Sequence, residues 1–215
     1  MSVAKCPTSS APALWERATS KRSDLSPGDR WLDRWLPLVA ERADGLPILE
    51  LGSGGGRDSA TIVAAGHRVV GVELSPSAVD KARAAVPTAT FHCQDIRLPF
   101  PVEKAGVIVA SLSLHYFPWA ETEALVTRIA ATLIPRGVLL CRLNSTNDHH
   151  FGASGHPEID RHYYRVDGAP KRFFDEADVD RLFARGWRVL HKQEGVIDRY
   201  DHPKSAWETV LERLP

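Results

Sequence analysis

The stretch Pro47-Ile48-Leu49-Glu50-Leu51-Gly52-Ser53-Gly54-Gly55-Gly56-Arg57 decides the fold. Its apolar first half predicts a short buried strand, and the pattern from Arg57 to Ala65 predicts a helix that Gly66 ends. Between them, the glycines predict a tight turn at which a ligand can lie against bare backbone, because no Cβ is in the way. The turn amides and the helix N-terminus would attract negative charge. The stretch therefore predicts a strand, a ligand-binding turn and a helix.

Outward from this turn, short β-branched runs alternate with longer stretches of helical spacing, which is typical of βαβ units and a parallel sheet. Helices are predicted from Ser75-Pro76, an N-cap and first-turn pair, to about Pro87, over 119–134 and over 174–184. The last run, 205–213, fits helix or strand by pattern alone. The other predicted strands are 67–73, 89–94, 107–112, 138–143 and 187–196.

Two acidic residues follow the next two predicted strands. Glu73 ends the second strand about 20 residues after the glycine turn, where a carboxylate can bind ribose hydroxyls. Asp95 follows the third strand. Because open α/β sheets bind ligands at the carboxyl ends of their strands, the glycine turn and both carboxylates are expected at one edge. Together they predict a nucleotide-type cofactor.

The residues around the turn favour one kind of nucleotide cofactor. In the dinucleotide fingerprint G-x-G-x-x-G, a small final residue allows close helix packing. Counted from Gly52, that position holds the bulky Arg57, which argues against NAD. Glu50, two residues before Gly52, suits a ligand with an ammonium group better than one with a pyrophosphate.

These motifs resemble those of class I S-adenosylmethionine-dependent methyltransferases. The residues 48–56 resemble their first motif, Val70-Gly71-Val72-Glu73-Leu74-Ser75 their ribose-binding motif, and Cys93-Gln94-Asp95-Ile96 their adenine-binding turn. Ile134-Pro135-Arg136-Gly137-Val138-Leu139 is similar to the turn before their fifth strand, with Val138 in place of a glycine. The resemblance covers roughly residues 45–143 and implies S-adenosyl-L-methionine as the cofactor.

The resemblance also assigns roles to residues. Glu50 would hold the methionine amino group, Glu73 would take the ribose hydroxyls, and Ser111 would lie nearest the transferred methyl. The implied cofactor-binding set is Glu50, Gly52, Ser53, Gly54, Glu73, Leu74, Asp95, Ile96 and Ser111.

A narrower resemblance is to the tellurite-resistance and thiopurine methyltransferase-like branch, whose members methylate small nucleophiles. It rests on Gly56-Arg57-Asp58-Ser59 and on Ser111-Leu112-Ser113-Leu114-His115-Tyr116-Phe117. The tail 199–207 is similar to that of small methyltransferases that close with an antiparallel strand, so 205–213 is predicted to be a strand. The implied fold is a doubly wound, Rossmann-like α/β fold whose seven-stranded mixed sheet has the order 3-2-1-4-5-7-6.

Candidate residues for chemistry follow the fourth strand. His115 would be a general base, because histidine side chains ordinarily exchange a proton near neutral pH, with a packing histidine as the alternative. Tyr116 would line the acceptor side, as would Tyr163 and Arg165 from the aperiodic segment 144–172, whose alternative is a solvated loop. No metal site is predicted, because the potential ligands are irregularly spaced on that segment: His149, His150, His156, His162, Asp148, Glu158 and Asp160.

Length and composition predict one domain. Of the 215 residues, 1–12 form a flexible terminus, 13–43 two helices, 44–143 the cofactor-binding core, and 144–215 a substrate loop with the last strands. The 27 basic and 27 acidic residues balance, which argues against a nucleic-acid substrate. A signal segment and a bilayer-spanning run are both missing, so a cytoplasmic location is expected.

Four hypotheses about function compete. The first is methyl transfer to a small molecule. The second, on the same fold, is methylation of a protein or tRNA, which would need a further partner surface. Nicotinamide-dependent oxidoreduction is disfavoured by Arg57, and a cofactor-binding protein without catalysis stays open, because fold does not fix function.

Overall fold

The computed structural model describes residues 29–198 and 200–215, and its main element is a seven-stranded sheet. The order is β3-β2-β1-β4-β5-β10-β9, with β1 to β5 parallel and β10 antiparallel to both of its neighbours. Since β9 and β10 are the sixth and seventh strands of this sheet, the predicted order is confirmed. The strands are β1 (Ile48–Leu51), β2 (Val69–Glu73), β3 (Thr90–Cys93), β4 (Ala105–Ser111), β5 (Leu133–Asn144), β9 (Trp187–Ile197) and β10 (Lys204–Arg213).

Helices cover both faces of the sheet. On one face, Val39 and Ile62 pack with Val107 and Val109 of β4; on the other, Leu125 and other apolar side chains meet the alternate strand residues. Nearly every residue of β1 and β4 is buried, as expected for central parallel strands. The helices are α1 (Leu36–Arg42), α2 (Arg57–Ala64), α3 (Pro76–Ala85), α4 (Trp119–Thr132) and α5 (Glu176–Leu182).

Local signals place the helix starts. The Oγ of Ser75 accepts a hydrogen bond from the Ala78 amide at 3.3 Å and caps α3, with Pro76 in the first turn as predicted. Asp175 caps α5 in a reciprocal capping box with Asp178. The helix predicted over 174–184 therefore begins two residues later than expected.

The segment 144–172 differs from its prediction as a loop. It contains a three-stranded antiparallel sheet formed by β6 (Glu158–Asp160), β7 (Tyr163–Val166) and β8 (Ala169–Arg172). The turn between β7 and β8 is Asp167-Gly168, and both residues have positive φ, +50° and +84°. That backbone suits a tight hairpin, because its twist matches that of the flanking strands.

The start of β5 also differs from the prediction of a turn at Pro135-Arg136-Gly137. The strand begins at Leu133, which pairs with Ala105, and regular pairing resumes five residues later between Val138 and Val107. The extra residues are absorbed by an irregularity in which Arg136 has a φ of +63°. The turn motif therefore lies within the strand.

The amino-terminal predictions are only partly covered by the structure. The terminus that was predicted to be flexible and the first predicted helix lie outside the described residues. The second appears as a short 3-10 helix, Asp33–Trp35, that leads into α1. Among the described residues, no helix combines the length and apolar character that crossing a bilayer requires.

Candidate active site

The glycine turn after β1 holds an open position at the carboxyl edge of the sheet. Gly52 and Gly54 have φ values of +74° and +52°. A Cβ on Gly52 would lie 2.5 Å from the Cβ of Ser113, so the segment after β4 requires glycine there. A Cβ on Gly54 would meet no protein atom within 4 Å. The turn therefore presents bare backbone to open space.

Glu73, at the end of β2, braces this turn. Its Oε2 accepts a hydrogen bond from the Gly54 amide at 3.0 Å, and its Oε1 accepts one from the Ser75 amide at 2.8 Å. Both bonds come from rigid backbone, so they fix the carboxylate beside the open face of the turn. This is the position that the sequence predicted for a ribose-binding carboxylate.

Glu50 lies beneath the turn and is only 3% exposed. Its carboxyl accepts a hydrogen bond from the Ser59 hydroxyl of α2. Burial raises the pKa of Glu50 well above its ordinary value, and the charge of Asp58 raises it further. A cation placed against Glu50 would favour its ionised form.

The third strand brings Asp95 and Ile96 to the same edge. The Gln94 amide donates to the Glu73 carbonyl at 2.8 Å, which ties the loop after β3 to the end of β2. Ile96 is buried and Leu74 half-buried. Burial alone would raise the pKa of Asp95, but the hydrogen bonds and charge of Arg97 outweigh it and lower that pKa. Asp95 is therefore held as an anion.

The end of β4 contributes a strained turn and two candidate residues. Leu112 has a φ of +55°, a conformation that a leucine rarely adopts. The Oγ of Ser111 accepts a hydrogen bond from Nε of Arg142 at 2.9 Å. His115 is buried in the 3-10 helix Leu114–Tyr116, with its ring centroid 4.0 Å from that of Tyr116.

The residues predicted for the acceptor side are only partly brought together. Tyr163 is buried and donates its hydroxyl hydrogen to the Tyr116 carbonyl at 3.1 Å, so β7 packs over the 3-10 helix. Burial raises the pKa of Tyr163. Arg165 is exposed and donates to the Gly168 carbonyl of its own hairpin at 3.5 Å, so that bond does not join it to the two tyrosines.

Several buried polar atoms at this edge have no hydrogen-bond partner among the described residues. Buried polar groups are normally bonded, so such atoms mark places where a ligand or water belongs. The four atoms are Ser53 Oγ, Ser113 Oγ, Arg142 Nη2 and Asn144 Oδ1. The sequence pointed to Ser53 but not to Arg142 and Asn144 of β5, although a single arginine within the apolar run 138–143 was a usable signal.

A cluster of possible metal ligands lies between β7 and α5. His162, Asp175 and Asp178 offer atoms that lie within 4.8 Å of one another. Arg161 bonds both carboxylates, at 2.6 Å and 2.8 Å, and Asp175 and Asp178 also form the capping box of α5. These bonds use the cluster to fasten the small sheet to α5.

The comparisons with known proteins agree with this geometry. Residues 48–137 match the family model described as a methyltransferase domain. Over this stretch the chain is similar to a methyltransferase domain. It has the fold of class I S-adenosylmethionine-dependent methyltransferases, and S-adenosylmethionine is the cofactor of such a domain.

Curated relatives match over part of their length. An uncharacterised methyltransferase from Synechocystis is 30% identical over 55% of this chain and 57% of its own. Trans-aconitate 2-methyltransferase from Methylobacterium radiotolerans is 31% identical over 61% of this chain and 48% of its own. The chain thus spans about half the length of these relatives.

A solved structure shares the whole fold. The 1,6-didemethyltoxoflavin-N1-methyltransferase of Burkholderia thailandensis, with bound 1,6-didemethyltoxoflavin and S-adenosylhomocysteine, has a TM-score of 0.64. It is 19% identical, and the alignment covers 100% of this chain and 95% of that one. At this identity the likeness establishes the fold alone.

The residues present fit the cofactor. Gly54 leaves a cradle that a Cβ would fill, and the buried Ser53 hydroxyl lies in the same turn without a described partner. Glu50 and Glu73 add carboxylates suited to an ammonium group and to ribose hydroxyls.

Proposed function

We propose that this chain transfers a methyl group from S-adenosylmethionine to a small-molecule nucleophile. The observation that carries the proposal is the open face of Gly54, bordered by the fixed carboxylate of Glu73. A turn that served only to join β1 to α2 would need neither the open space nor a carboxylate braced by two amides.

Each cofactor-binding residue has a proposed role. Glu50 would pair with the methionine ammonium, and Gly52, Ser53 and Gly54 would face the methionine and ribose. The remaining residues would bind ribose (Glu73, Leu74), adenine (Asp95, Ile96) and the region of the methyl group (Ser111).

The protein's chemical task is then mainly placement. S-adenosylmethionine supplies a methyl group on a sulfonium sulfur, which is already an excellent leaving group. The chain has to hold the nucleophile in line and exclude water. His115 would remove a proton from the nucleophile, and Tyr116 with Tyr163 would border the acceptor.

The small-molecule class of acceptor has its own support. The small sheet packs over the 3-10 helix that follows β4, so it covers the side from which an acceptor would approach. Residues 56–59 and 111–117 resemble the tellurite-resistance and thiopurine methyltransferase-like branch, and the neutral net charge offers no general attraction for nucleic acid.

Calorimetric titration with S-adenosylmethionine, S-adenosylhomocysteine and NAD tests the cofactor. We expect the first two to bind the native protein and Glu103→Ala, a change at an exposed loop carboxylate, but not Glu73→Ala. Binding of NAD without S-adenosylhomocysteine would refute the proposal.

His115 needs a separate test. We expect His115→Asn to leave the affinity for S-adenosylhomocysteine unchanged and to remove one ionisation from the pH profile of methyl transfer. A variant that keeps the native profile would assign His115 to packing.

A further inference from the structure

Arg142 is a buried cation on β5, in a strand segment that is otherwise apolar. The residue is 2% exposed. Its neighbours at two-residue spacing, Val138 and Leu140, belong to the core on the side of α1 and α2. Burying a guanidinium is energetically costly unless its N–H groups find hydrogen-bond acceptors, so the acceptor of each N–H group of Arg142 matters.

Three contacts hold the guanidinium in place. Its Nη1 donates to both carboxylate oxygens of Asp29, at 3.0 Å and 2.8 Å, and its Nε donates to Ser111 Oγ at 2.9 Å. The face of Trp31 lies 4.4 Å from the guanidinium carbon. The Trp31 indole is itself fixed, because its Nε1 donates to both oxygens of Asp58 at 3.2 Å.

Two donors remain unused after these contacts. Nη2 of Arg142 is buried, and no described residue accepts its hydrogens. Ser111 accepts the Nε hydrogen, so its own hydroxyl hydrogen is available, and no described residue accepts it. The hydroxyl and Nη2 therefore form a pair of donors fixed from behind by Asp29 and Trp31.

We propose that Arg142 Nη2 and the Ser111 hydroxyl form a carboxylate-binding site. A guanidinium N–H beside a hydroxyl matches the two oxygens of a carboxylate, and charge strengthens both bonds. Asp29 takes the Nη1 hydrogens and leaves the buried Nη2 without an acceptor among the described residues.

The position of the pair relates it to Glu50. Glu50 pairs across the sheet with Val109, two residues before Ser111, so Glu50 and Ser111 lie on the same sheet face. This inference rests on the proposed function, in which Glu50 takes the ammonium of the cofactor. The donor pair would then bind either the carboxylate of the same methionine group or a carboxylate of the methyl acceptor.

The experiment compares S-adenosylhomocysteine with 5′-methylthioadenosine, which carries the same nucleoside but no amino-acid carboxylate. Calorimetry is performed on the native protein, Arg142→Met, Arg142→Lys and Ser111→Ala, with Arg185→Met as an exposed control. If the site binds the cofactor, Arg142→Met lowers the affinity for S-adenosylhomocysteine at least tenfold and changes the affinity for 5′-methylthioadenosine by less than twofold. The lysine and alanine variants then lose less and serve if Arg142→Met does not fold.

A second arm tests the acceptor as the source of the carboxylate. The melting temperature is measured with trans-aconitate added to protein saturated with S-adenosylhomocysteine. If cofactor affinities do not depend on Arg142, we expect trans-aconitate to raise the melting temperature of the native protein and not that of Arg142→Met or Arg142→Lys.

Two results would overturn the inference. One is that the Arg142 variants lose equal affinity for S-adenosylhomocysteine and for 5′-methylthioadenosine, which would show that Arg142 only shapes the pocket. The other is no effect of Arg142 in either arm. Failure of the native protein to bind S-adenosylhomocysteine would instead refute the proposed function.

Discussion

Gly54→Ala separates the cost of folding from the cost of binding. The added Cβ would meet no protein atom within 4 Å, so packing does not oppose it. The backbone does, because φ is +52° and alanine avoids that region. Gly45, in the exposed turn before β1, provides a matched control, since it has a φ of +68° and equally open surroundings.

The magnitudes follow from these two facts. Each alanine should cost about 1–2 kcal/mol of stability, the usual penalty of a left-handed residue with a Cβ. For a chain of this size, that corresponds to a fall in melting temperature of roughly 2–8 °C. At Gly54 the methyl would also enter the space where the cofactor lies against backbone. We expect the affinity for S-adenosylhomocysteine to fall at least about tenfold, or about 1.4 kcal/mol.

The assay measures thermal unfolding and calorimetric affinity for both variants. The expected result is a similar loss of stability in both and a loss of affinity in Gly54→Ala alone. If Gly45→Ala and Gly54→Ala bound S-adenosylhomocysteine with equal affinity, the claim that the cofactor lies against Gly54 would be refuted, because the added Cβ at position 54 would then face only solvent.

Three further outcomes concern buried charge. Burial raises the pKa of Glu50 in the folded state above its pKa in the unfolded state. The protonated Glu50 therefore contributes fully to stability at a pH below the unfolded-state pKa, and this contribution is lost as the pH rises through the folded-state pKa. The stability of the native protein relative to Glu50→Gln should therefore decrease from pH 5 to pH 8 in urea unfolding; a constant difference would contradict the shifted pKa. If the cofactor's ammonium ionises Glu50, binding of S-adenosylhomocysteine should release protons, seen as a buffer-dependent calorimetric enthalpy near neutral pH. In the native protein, Lys204 Nζ lies 2.5 Å from the fully buried carboxylate of Asp148. Lys204→Met should lower the free energy of unfolding by about 3–5 kcal/mol, because it leaves this carboxylate without its cation. Asp148→Asn combined with Lys204→Met should recover part of the loss.

Sequence alone predicted the part of the site that lies at strand ends. The glycine turn, Glu73 and Asp95 each follow a short apolar run, and parallel strands necessarily bring their carboxyl ends to one edge. The strand β10 was predicted from a family resemblance, because its residues fit helix and strand equally well. Their pairing with β5 is long-range, and local pattern cannot show it.

What the sequence missed depends on contacts between distant segments. Trp31 is buried with the core, and its indole also joins Asp58 to Arg142. No spacing rule relates residues from three separate elements. The β7–β8 hairpin is different, because Asp167-Gly168 is a strong local turn signal from which the hairpin could have been predicted.

The insertion of β10 between β5 and β9 has a consequence for the order of folding. Among the described strands, β9 pairs only with β10, so β9 has no place in the sheet until the later strand has docked on β5. Lys204, at the start of β10, closes on Asp148 only at that point. Contacts so distant in sequence form slowly, because the intervening chain must first lose its freedom. The parallel strands that carry the glycine turn can therefore assemble early, whereas the side of the site nearest β10 is completed last.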